Sequence, residues 1–309
     1  MDPLNRINIR GDSTFVMMLE AQRRGIPVYS CEVGDLELHG DTVWARGKRT
    51  TVERNASAPF SVGAEEALRL DDLRAVFMRK DPPVDVEFFM SLHLLDRADR
   101  QKVVMVNDPA SIAVSNEKLF AMNFPELTPK TMVSRRPDRI RAFIEEHGDV
   151  VVKPLNGAGG SGILRLVRGD KNIRSAVELL TQEGKVSIAV QVYLPKVTEG
   201  DRRVLLIDGQ AVGVINRRPQ ADDIRSNMHV GGTAEATELN AADLHIAATI
   251  GPELRRLGLV FVGIDVIDGR LTEINVTSPT GLQEYARFSG VHLEEKLIDS
   301  VEAKAAALG

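Results

Sequence analysis

The sequence predicts an α/β protein whose N-terminal part carries a parallel sheet, and three observations lead there. Short apolar runs alternate with helical stretches between Thr14 and Val106, the order that builds a parallel sheet with crossover helices. A glycine-dense loop, Asn156 to Gly162, joins two strand-like runs, with no helix immediately after it. The stretch Leu259 to Gly281, LVFVGIDVIDGRLTEINVTSPTG, interleaves apolar residues with Asp265, Glu273 and Asn275 at a period of two.

Thr14 to Arg24 (TFVMMLEAQRR) has apolar residues at helical spacing and is closed by Gly25. Ile26 to Val33 reads as a strand, with shorter pieces around Leu36 and Val43. Leu70 to Arg79 leads into the strand AVFMR, which stops at Lys80-Asp81-Pro82-Pro83. Asp85 to Arg97 is helical, and Val103 to Val106 is a strand ended by Asn107-Asp108-Pro109. A helix-like run from Asn116 to Phe124 is broken at Thr128-Pro129. Arg139 to His147 is a helix, and Val150 to Pro154 and Ile163 to Val167 are strands on either side of the glycine loop. Ile173 to Glu183 is helical, and Ile188 to Tyr193 is a strand broken at Leu194-Pro195.

Arg202 to Ile207 and Gln210 to Ile215 form a hairpin about Asp208-Gly209, suited to a two-residue turn. Arg217 to Thr233 (RRPQADDIRSNMHVGGT) has no sustained period. A loop of that length acts as a lid or binding loop in compact domains. Ala241 to Leu257, closed by Gly258, and Leu293 to Ala306 are the last helices. The expected division is an N-terminal α/β domain over residues 1–124, a small subdomain with the glycine flap over 125–199, and a C-terminal subdomain over 200–309.

A chain of 309 residues can bury a large core, and 43% hydrophobic with 27% charged residues is ordinary for a soluble globular protein. The formal charge of −5 leaves no basic stripe for nucleic acid. No apolar run reaches membrane-span length and no signal peptide is visible at Met1. One cysteine, Cys31, excludes an internal disulfide and a cysteine-rich zinc site, and its strand-like setting suits a buried thiol. The expectation is a soluble, cytoplasmic protein. His93 and His147 fall on helices and read as packing or surface residues, while His229 lies in the long loop.

Asp265, Glu273 and Asn275 are hard oxygen donors suited to Mg²⁺ if they share one sheet face. A hairpin with a solvated polar face is the other reading of the same residues. A two-residue turn at Asp268-Gly269 would pair 267 with 270 and send Asp265 and Glu273 to opposite faces. The metal reading therefore expects an odd loop, such as three residues with Gly269 left-handed. The glycine loop can serve as a flap whose amides cover phosphates, or as a plain hairpin tip. Lys118, Lys153, the pair Arg202-Arg203, Arg217 and Arg225 follow in order, and such cations can neutralise phosphates or grip carboxylates.

The ordered motifs are MRKDPP (Met78 to Pro83), NEKLF (Asn116 to Phe120), KPLNGAGGSG (Lys153 to Gly162), RSNMHVGG (Arg225 to Gly232), FVGIDVI (Phe261 to Ile267) and LTEINVTSPTG (Leu271 to Gly281). Over nearly its whole length the chain resembles the bacterial glutathione synthetases of the ATP-grasp superfamily. The resemblance implies an ATP-grasp fold behind an N-terminal parallel domain. It implies a ligase that activates the cysteinyl carboxylate of γ-glutamylcysteine as an acyl phosphate and joins it to glycine.

By the same resemblance Lys118 and Lys153 contact ATP phosphates. Gly157, Gly159, Gly160, Ser161 and Gly162 cover them, and Gln191, Val192, Tyr193 and Leu194 lie against the adenine. Asp265, Glu273 and Asn275 hold Mg²⁺, with Mn²⁺ as an alternative ion. Arg203, Arg217 and Arg225 act on the transferring phosphate, the substrate carboxylates and the lid. Ser278, Pro279 and Thr280, with Asn8 and Ser13, are placed near the peptide or glycine. A homotetramer is implied as well.

Two departures stand out. The family carries a short apolar strand before the Met-Asp-Pro segment, so the first strand of the N-terminal sheet is expected to be missing here, with loss of pairing for its neighbours. In the lid, Ala221-Asp222-Asp223-Ile224 and Thr233 replace a glycine, a Glu-Thr pair and an arginine usual in the family. Extra negative charge there would slow lid closure or weaken anion binding. Two other readings stay open: a related carboxylate–amine ligase of different specificity, and a nucleotide-binding protein with impaired turnover.

Overall fold

The computed structural model describes residues 1–157, 159–220, 223, 225, 226 and 231–309. The departures at Ala221, Asp222 and Ile224 and the candidate His229 lie outside them, as do Ala158 of the flap and residues 227–230 of the lid motif.

Helix α1 (Ser13–Arg23) starts where Asp12 takes extended backbone and its carboxylate accepts the Phe15 N–H, which satisfies an amide the helix itself cannot. The strand expected over Ile26 to Val33 shrinks to β1 (Tyr29–Ser30); Pro27 has no N–H to give a ladder. β1, β2 (Leu36–His39) and β4 (Phe60–Arg69) all pair antiparallel with the long β3 (Thr42–Val52). Sequence reading gave no β4. That strand is mostly exposed, so no apolar alternation marks it.

The parallel element is smaller than the alternation of strands and helices suggested. β5 (Ala75–Phe77) and β6 (Val104–Val106) pair in parallel through the crossover helix α2 (Val86–Leu95). Among the described residues β5 pairs with β6 alone. A largely apolar cavity of about 490 Å³, walled by Met17, Val28, Cys31, Val76 and Ile298, lies along the same part of the fold.

Two short helices, α3 (Pro109–Val114) and α4 (Glu117–Ala121), lead into a second layer. There β7 (Thr131–Ser134), β8 (Asp149–Pro154), β9 (Leu164–Val167) and β10 (Ile188–Val192) form an antiparallel sheet in the order β7-β10-β8-β9. Helices α5 (Pro137–His147) and α6 (Ile173–Leu180) cover it around Ile140, Ile144, Val150, Val152 and Ile188.

The third sheet runs β13-β12-β11-β14-β15. Its strands are β11 (Asp201–Ile207), β12 (Gln210–Arg218), β13 (Thr233–Ala236), β14 (Phe261–Ile267) and β15 (Arg270–Asn275). One face buries Val204, Leu206, Val262, Ile264, Val266 and Ile274 against α7 (Ala241–Arg256) and the N-terminal domain. The other face packs Leu205, Ile207 and Phe261 against α8 (Leu282–Ser289) and α9 (Leu293–Leu308) at one end and turns polar at the other.

The turn at Asp268-Gly269 corrects the sequence reading. Ile267 pairs with Arg270, so it is a plain two-residue turn, with Asp268 at φ 50° and Gly269 at φ 68°. Asp265 nevertheless pairs with Glu273, because the register shifts between Asp265 and Val266. Thr272 is the extra residue of a β-bulge, and its hydroxyl donates to the Asp265 carbonyl at 3.1 Å. In a regular ladder a two-residue turn would separate Asp265 and Glu273; the bulge supplies the odd residue inside the strand.

Candidate active site

The polar end of the third sheet is built by alternation. Asp201 pairs with Arg217, Arg203 with Asp265, Asp265 with Glu273 and Gly263 with Asn275. Directly opposed residues share a face, so these side chains stand together. Arg202, read above as half of a basic pair, points to the opposite face and is bound by Asp243 on α7. Only Arg203 belongs to the site.

Arg203 grips Asp265 with two nitrogens, Nε to Oδ1 at 2.6 Å and a terminal nitrogen to Oδ2 at 3.1 Å. Arg217 bridges Asp265 Oδ1 at 2.8 Å and Asp201 Oδ2 at 2.6 Å. The Ser226 hydroxyl also donates to Asp201 Oδ2, at 2.7 Å, which ties the lid segment to the sheet. Burial alone would push Asp265 up, but Arg203 and Arg217 outweigh it and hold the carboxyl below the usual range. Asp201 moves the other way: burial raises it, and Arg217 only partly compensates. Arg217, buried between the two carboxylates, is held more firmly charged than a free guanidinium, since their attraction exceeds the cost of its burial.

Glycine matters at two places. A side chain at Gly263 would put its Cβ 3.0 Å from Arg203 Cδ and 3.2 Å from Pro279 Cβ, so Gly263 lets Arg203 lie flat on the sheet. In the flap, Gly159, Gly160 and Gly162 all have positive φ, a conformation other residues adopt only at a cost.

Across the cleft, Asn116 caps α4 by accepting the N–H groups of Lys118 and Leu119, which fixes the direction of Lys118. Lys118 Nζ donates to the Gly157 carbonyl at 2.9 Å and stands 3.8 Å from Glu273 Oε1. Lys153, near the end of β8, stands 3.6 Å from the same oxygen. Glu117 accepts the Thr277 hydroxyl at 3.0 Å. Burial, and then the nearby charge of Glu273, raise its carboxyl.

These groups line one cleft of about 420 Å³. It brings together Lys118, Lys153, Gly157, Gly159, Gly160, Ser161, Gln191, Val192, Tyr193, Leu194, Arg203, Arg217, Arg225, Asp265, Glu273, Asn275, Ser278, Pro279 and Thr280. Val151, Ile163, Val197 and Ile267 add an apolar wall beside Val192 to Leu194. Gly162 packs on Pro154 behind the flap. Asn8 and Ser13 do not line the cleft. Asn8 is exposed, and Ser13 is fully buried, where its hydroxyl accepts the Leu282 N–H at the start of α8. Arg225 pairs with Asp223. Sequence reading missed Asp201, Glu117 and Ser226; Asp201 could have been found, because it lies two residues before Arg203 on the same strand.

A divalent ion fits this donor set unevenly. Among the described residues the Glu273 carboxylate accepts no hydrogen bond and has only the two lysine ammonium groups at 3.6 and 3.8 Å, so its lone pairs are open to a ligand. Asn275 Nδ2 is buried and has no hydrogen-bond partner among the described residues. A half-turn of the amide places its oxygen at the same position. Asp265 already accepts three arginine hydrogen bonds and would have to share or release one. Among the described residues no three Asp, Glu, His or Cys side chains could hold an ion by themselves, so the Asn275 amide is part of the expected set.

Comparison with known proteins gives a consistent result. The prokaryotic glutathione synthetase N-terminal domain family matches residues 1–113, and the prokaryotic glutathione synthetase ATP-grasp domain family matches residues 117–290. The glutathione synthetase of Bradyrhizobium diazoefficiens is 45% identical over 306 residues, spanning 99% of this chain and 97% of that protein. That of Rhodopseudomonas palustris is 46% identical over the same shares. Among solved structures, the ATP-grasp ligase PsnB complexed with a minimal precursor has a TM-score of 0.62 at 18% identity, covering 95% of this chain and 96% of that one. The macrocyclase MdnC from Microcystis aeruginosa has a TM-score of 0.63 at 12% identity over 96% and 97%. At such identities the structures show the shared fold, which is ATP-grasp.

Proposed function

The chain belongs to the prokaryotic glutathione synthetase family, and on that premise we propose that it joins γ-glutamylcysteine to glycine with ATP. The observation that carries the reading is the meeting of Lys118, Lys153, Arg203 and Arg217 around Glu273 and Asn275 in one cleft. In the first step a cysteinyl carboxylate oxygen attacks the γ-phosphorus of ATP, and ADP leaves. In the second the glycine nitrogen attacks the acyl phosphate carbon and loses a proton, and phosphate leaves with the C–O bond electrons.

Both steps need positioning and charge neutralisation more than covalent help from the protein. Lys118 and Lys153 neutralise ATP phosphates, and the amides of Gly157 to Gly162 donate to their oxygens. The apolar wall beside Gln191, Val192, Tyr193 and Leu194 takes the adenine. Arg203 and Arg217, held flat by Asp265 and Asp201, present guanidinium edges to the phosphoryl group and the carboxylate. Glu273 and Asn275, with Asp265 sharing, would hold Mg²⁺, or Mn²⁺ in its place, and the ion would supply further neutralisation of phosphate charge. PsnB has been solved with Mg and ADP, which supports that assignment by fold. Arg225 and the lid close over the site and keep water from the acyl phosphate. Ser278 to Thr280 seat the peptide or glycine, and Ser13 supports that turn through the start of α8, with Asn8 alongside.

The division at 1–124, 125–199 and 200–309 fits this work, one unit for the peptide and two closing on the nucleotide. Among the described residues no helix is long and apolar enough to cross a membrane. We place the enzyme in the cytoplasm as a homotetramer, which sedimentation tests. Mass spectrometry of the reaction with γ-glutamylcysteine, glycine and Mg²⁺-ATP should find glutathione, ADP and phosphate in equal amounts. Turnover only with another donor or acceptor would move the chain to a different carboxylate–amine ligase. ATP binding with no turnover would leave a nucleotide-binding protein.

A further inference from the structure

The carboxylates in the cleft are matched with one exception. Asp201 and Asp265 are held by arginines, Glu117 accepts the Thr277 hydroxyl, and Glu273 stands near two lysines. Asp81 also lines the cleft, is exposed, and among the described residues its carboxylate takes part in no hydrogen bond or ion pair. Its backbone, in contrast, is clamped. The Asp81 N–H donates to Asp2 Oδ2 at 2.7 Å, and its carbonyl accepts Lys80 Nζ at 2.9 Å. Lys80 in turn is held by Asp2 Oδ1 at 2.6 Å. Buried Arg79 and Asp12 feel its charge without bonding to it, so a carboxylate with no hydrogen bond of its own is presented on a fixed backbone.

The loop is also tied to the reacting end of the cleft. Arg79, buried two residues earlier, donates to the Pro279 carbonyl at 3.0 Å, and Arg203 reaches the next carbonyl, Thr280, at 3.5 Å. We propose that Asp81 receives the α-ammonium of the γ-glutamyl residue and so selects the peptide, an inference that rests on the glutathione synthetase reading. The reacting carboxylate must lie beside Arg203 and Arg217. The ammonium of the same molecule lies roughly two residue lengths away, about 7 Å when extended. On closure, Asp81 would lose water and needs a cation in its place. Glycine is a poor occupant: its nitrogen must be unprotonated to attack, and a carboxylate would hold it as the ammonium.

The test compares γ-glutamylcysteine with glutarylcysteine, which lacks only that amino group. The native chain should prefer the former by about 30-fold in kcat/KM, the order expected for one charge-assisted hydrogen bond. Asp81→Asn should raise KM for γ-glutamylcysteine about 30-fold and bring the preference close to one. KM for ATP and for glycine should stay within about twofold, which also controls for folding. A variant that keeps the preference, or whose loss falls on glycine or ATP instead, overturns the proposal. Failure of the functional reading itself looks different, since the native chain would then release no phosphate with γ-glutamylcysteine and glycine.

Discussion

The two hairpins of the C-terminal sheet share one backbone plan and have different chemistry. Both turn on Asp-Gly with positive φ at both residues, Asp208-Gly209 and Asp268-Gly269. Both pair the residues flanking the turn, 207 with 210 and 267 with 270. Both then carry a bulge at the same place, Val212 in one and Thr272 in the other, between the second and third pairs. Beyond the bulge the first hairpin sets Leu205 against Gly213, and the second sets Asp265 against Glu273. The first position is filled by Tyr285 and Leu293; the second faces the cleft. Local geometry thus fixes which face a residue occupies, and the residue type decides whether that face is core or site.

The largest separation of the two hairpins comes from that third pair. Glu273→Gln should cut turnover by two to four orders of magnitude, since it removes the carboxylate charge proposed to hold the metal ion, and should leave the unfolding midpoint nearly unchanged. Gly213→Ala should do the reverse. Its Cβ would sit 2.7 Å from the Tyr285 ring and 2.8 Å from Leu293, costing about 1–3 kcal/mol by overpacking, with turnover per folded molecule retained. Calorimetry and steady-state kinetics on both variants check the pair.

Asp265→Asn tests stability within the site. It leaves Arg203 and Arg217 buried without their shared carboxylate, at a cost of about 3–5 kcal/mol. Its pH dependence has a definite sign. The native carboxyl is held below its usual range by the two arginines, against the opposing effect of burial. Its folded value therefore lies under the unfolded one of about 3.9. The stabilisation is complete above the unfolded value and is lost as pH falls through the folded one. The gap between native chain and variant should narrow as pH drops below about 4, read by denaturant titration.

A smaller effect is expected at Gly263. An alanine there meets Arg203 Cδ at 3.0 Å and should displace the guanidinium by a few tenths of an ångström. Turnover should fall about tenfold with little change in KM for ATP. For turnover, the smallest effect is expected at the turns themselves, which contrast in stability instead. Gly209 and Gly269 have the same left-handed backbone, so alanine costs each about 1 kcal/mol. Gly209→Ala adds a clash, because its Cβ would lie 2.4 Å from the Gly251 carbonyl in α7, whereas at Gly269 the nearest atom is 3.4 Å away. Gly209→Ala should therefore be the less stable of the two by thermal unfolding.

Much of the site was readable from the chain. Apolar alternation put Asp265, Glu273 and Asn275 on one face only on condition of an odd residue, which the bulge at Thr272 supplies in place of the turn, and the glycine flap and lysines line the same cleft. The bulge was not read, although it leaves a trace: Leu271 and Ile274 are both apolar and three apart, as are Ala211 and Val214. Burial of Asp265 between two arginines was invisible, because it depends on β12 lying beside β11. The exposed β4 and the short α8 were missed for another reason. The strand β4 carries little periodic apolar signal, whereas α8 does place Leu282, Tyr285 and Ala286 at helical spacing but is only eight residues long, too short a run to stand out from the chain around it.

The central claim is that the bulged β14–β15 hairpin is the metal platform of an ATP-dependent ligase. Anomalous diffraction from crystals grown with Mn²⁺ and a non-hydrolysable ATP analogue tests it most directly. The account predicts a manganese peak about 2.2 Å from oxygens of both Glu273 and Asn275. A peak held by other side chains, with these two left outside its coordination sphere, would contradict it.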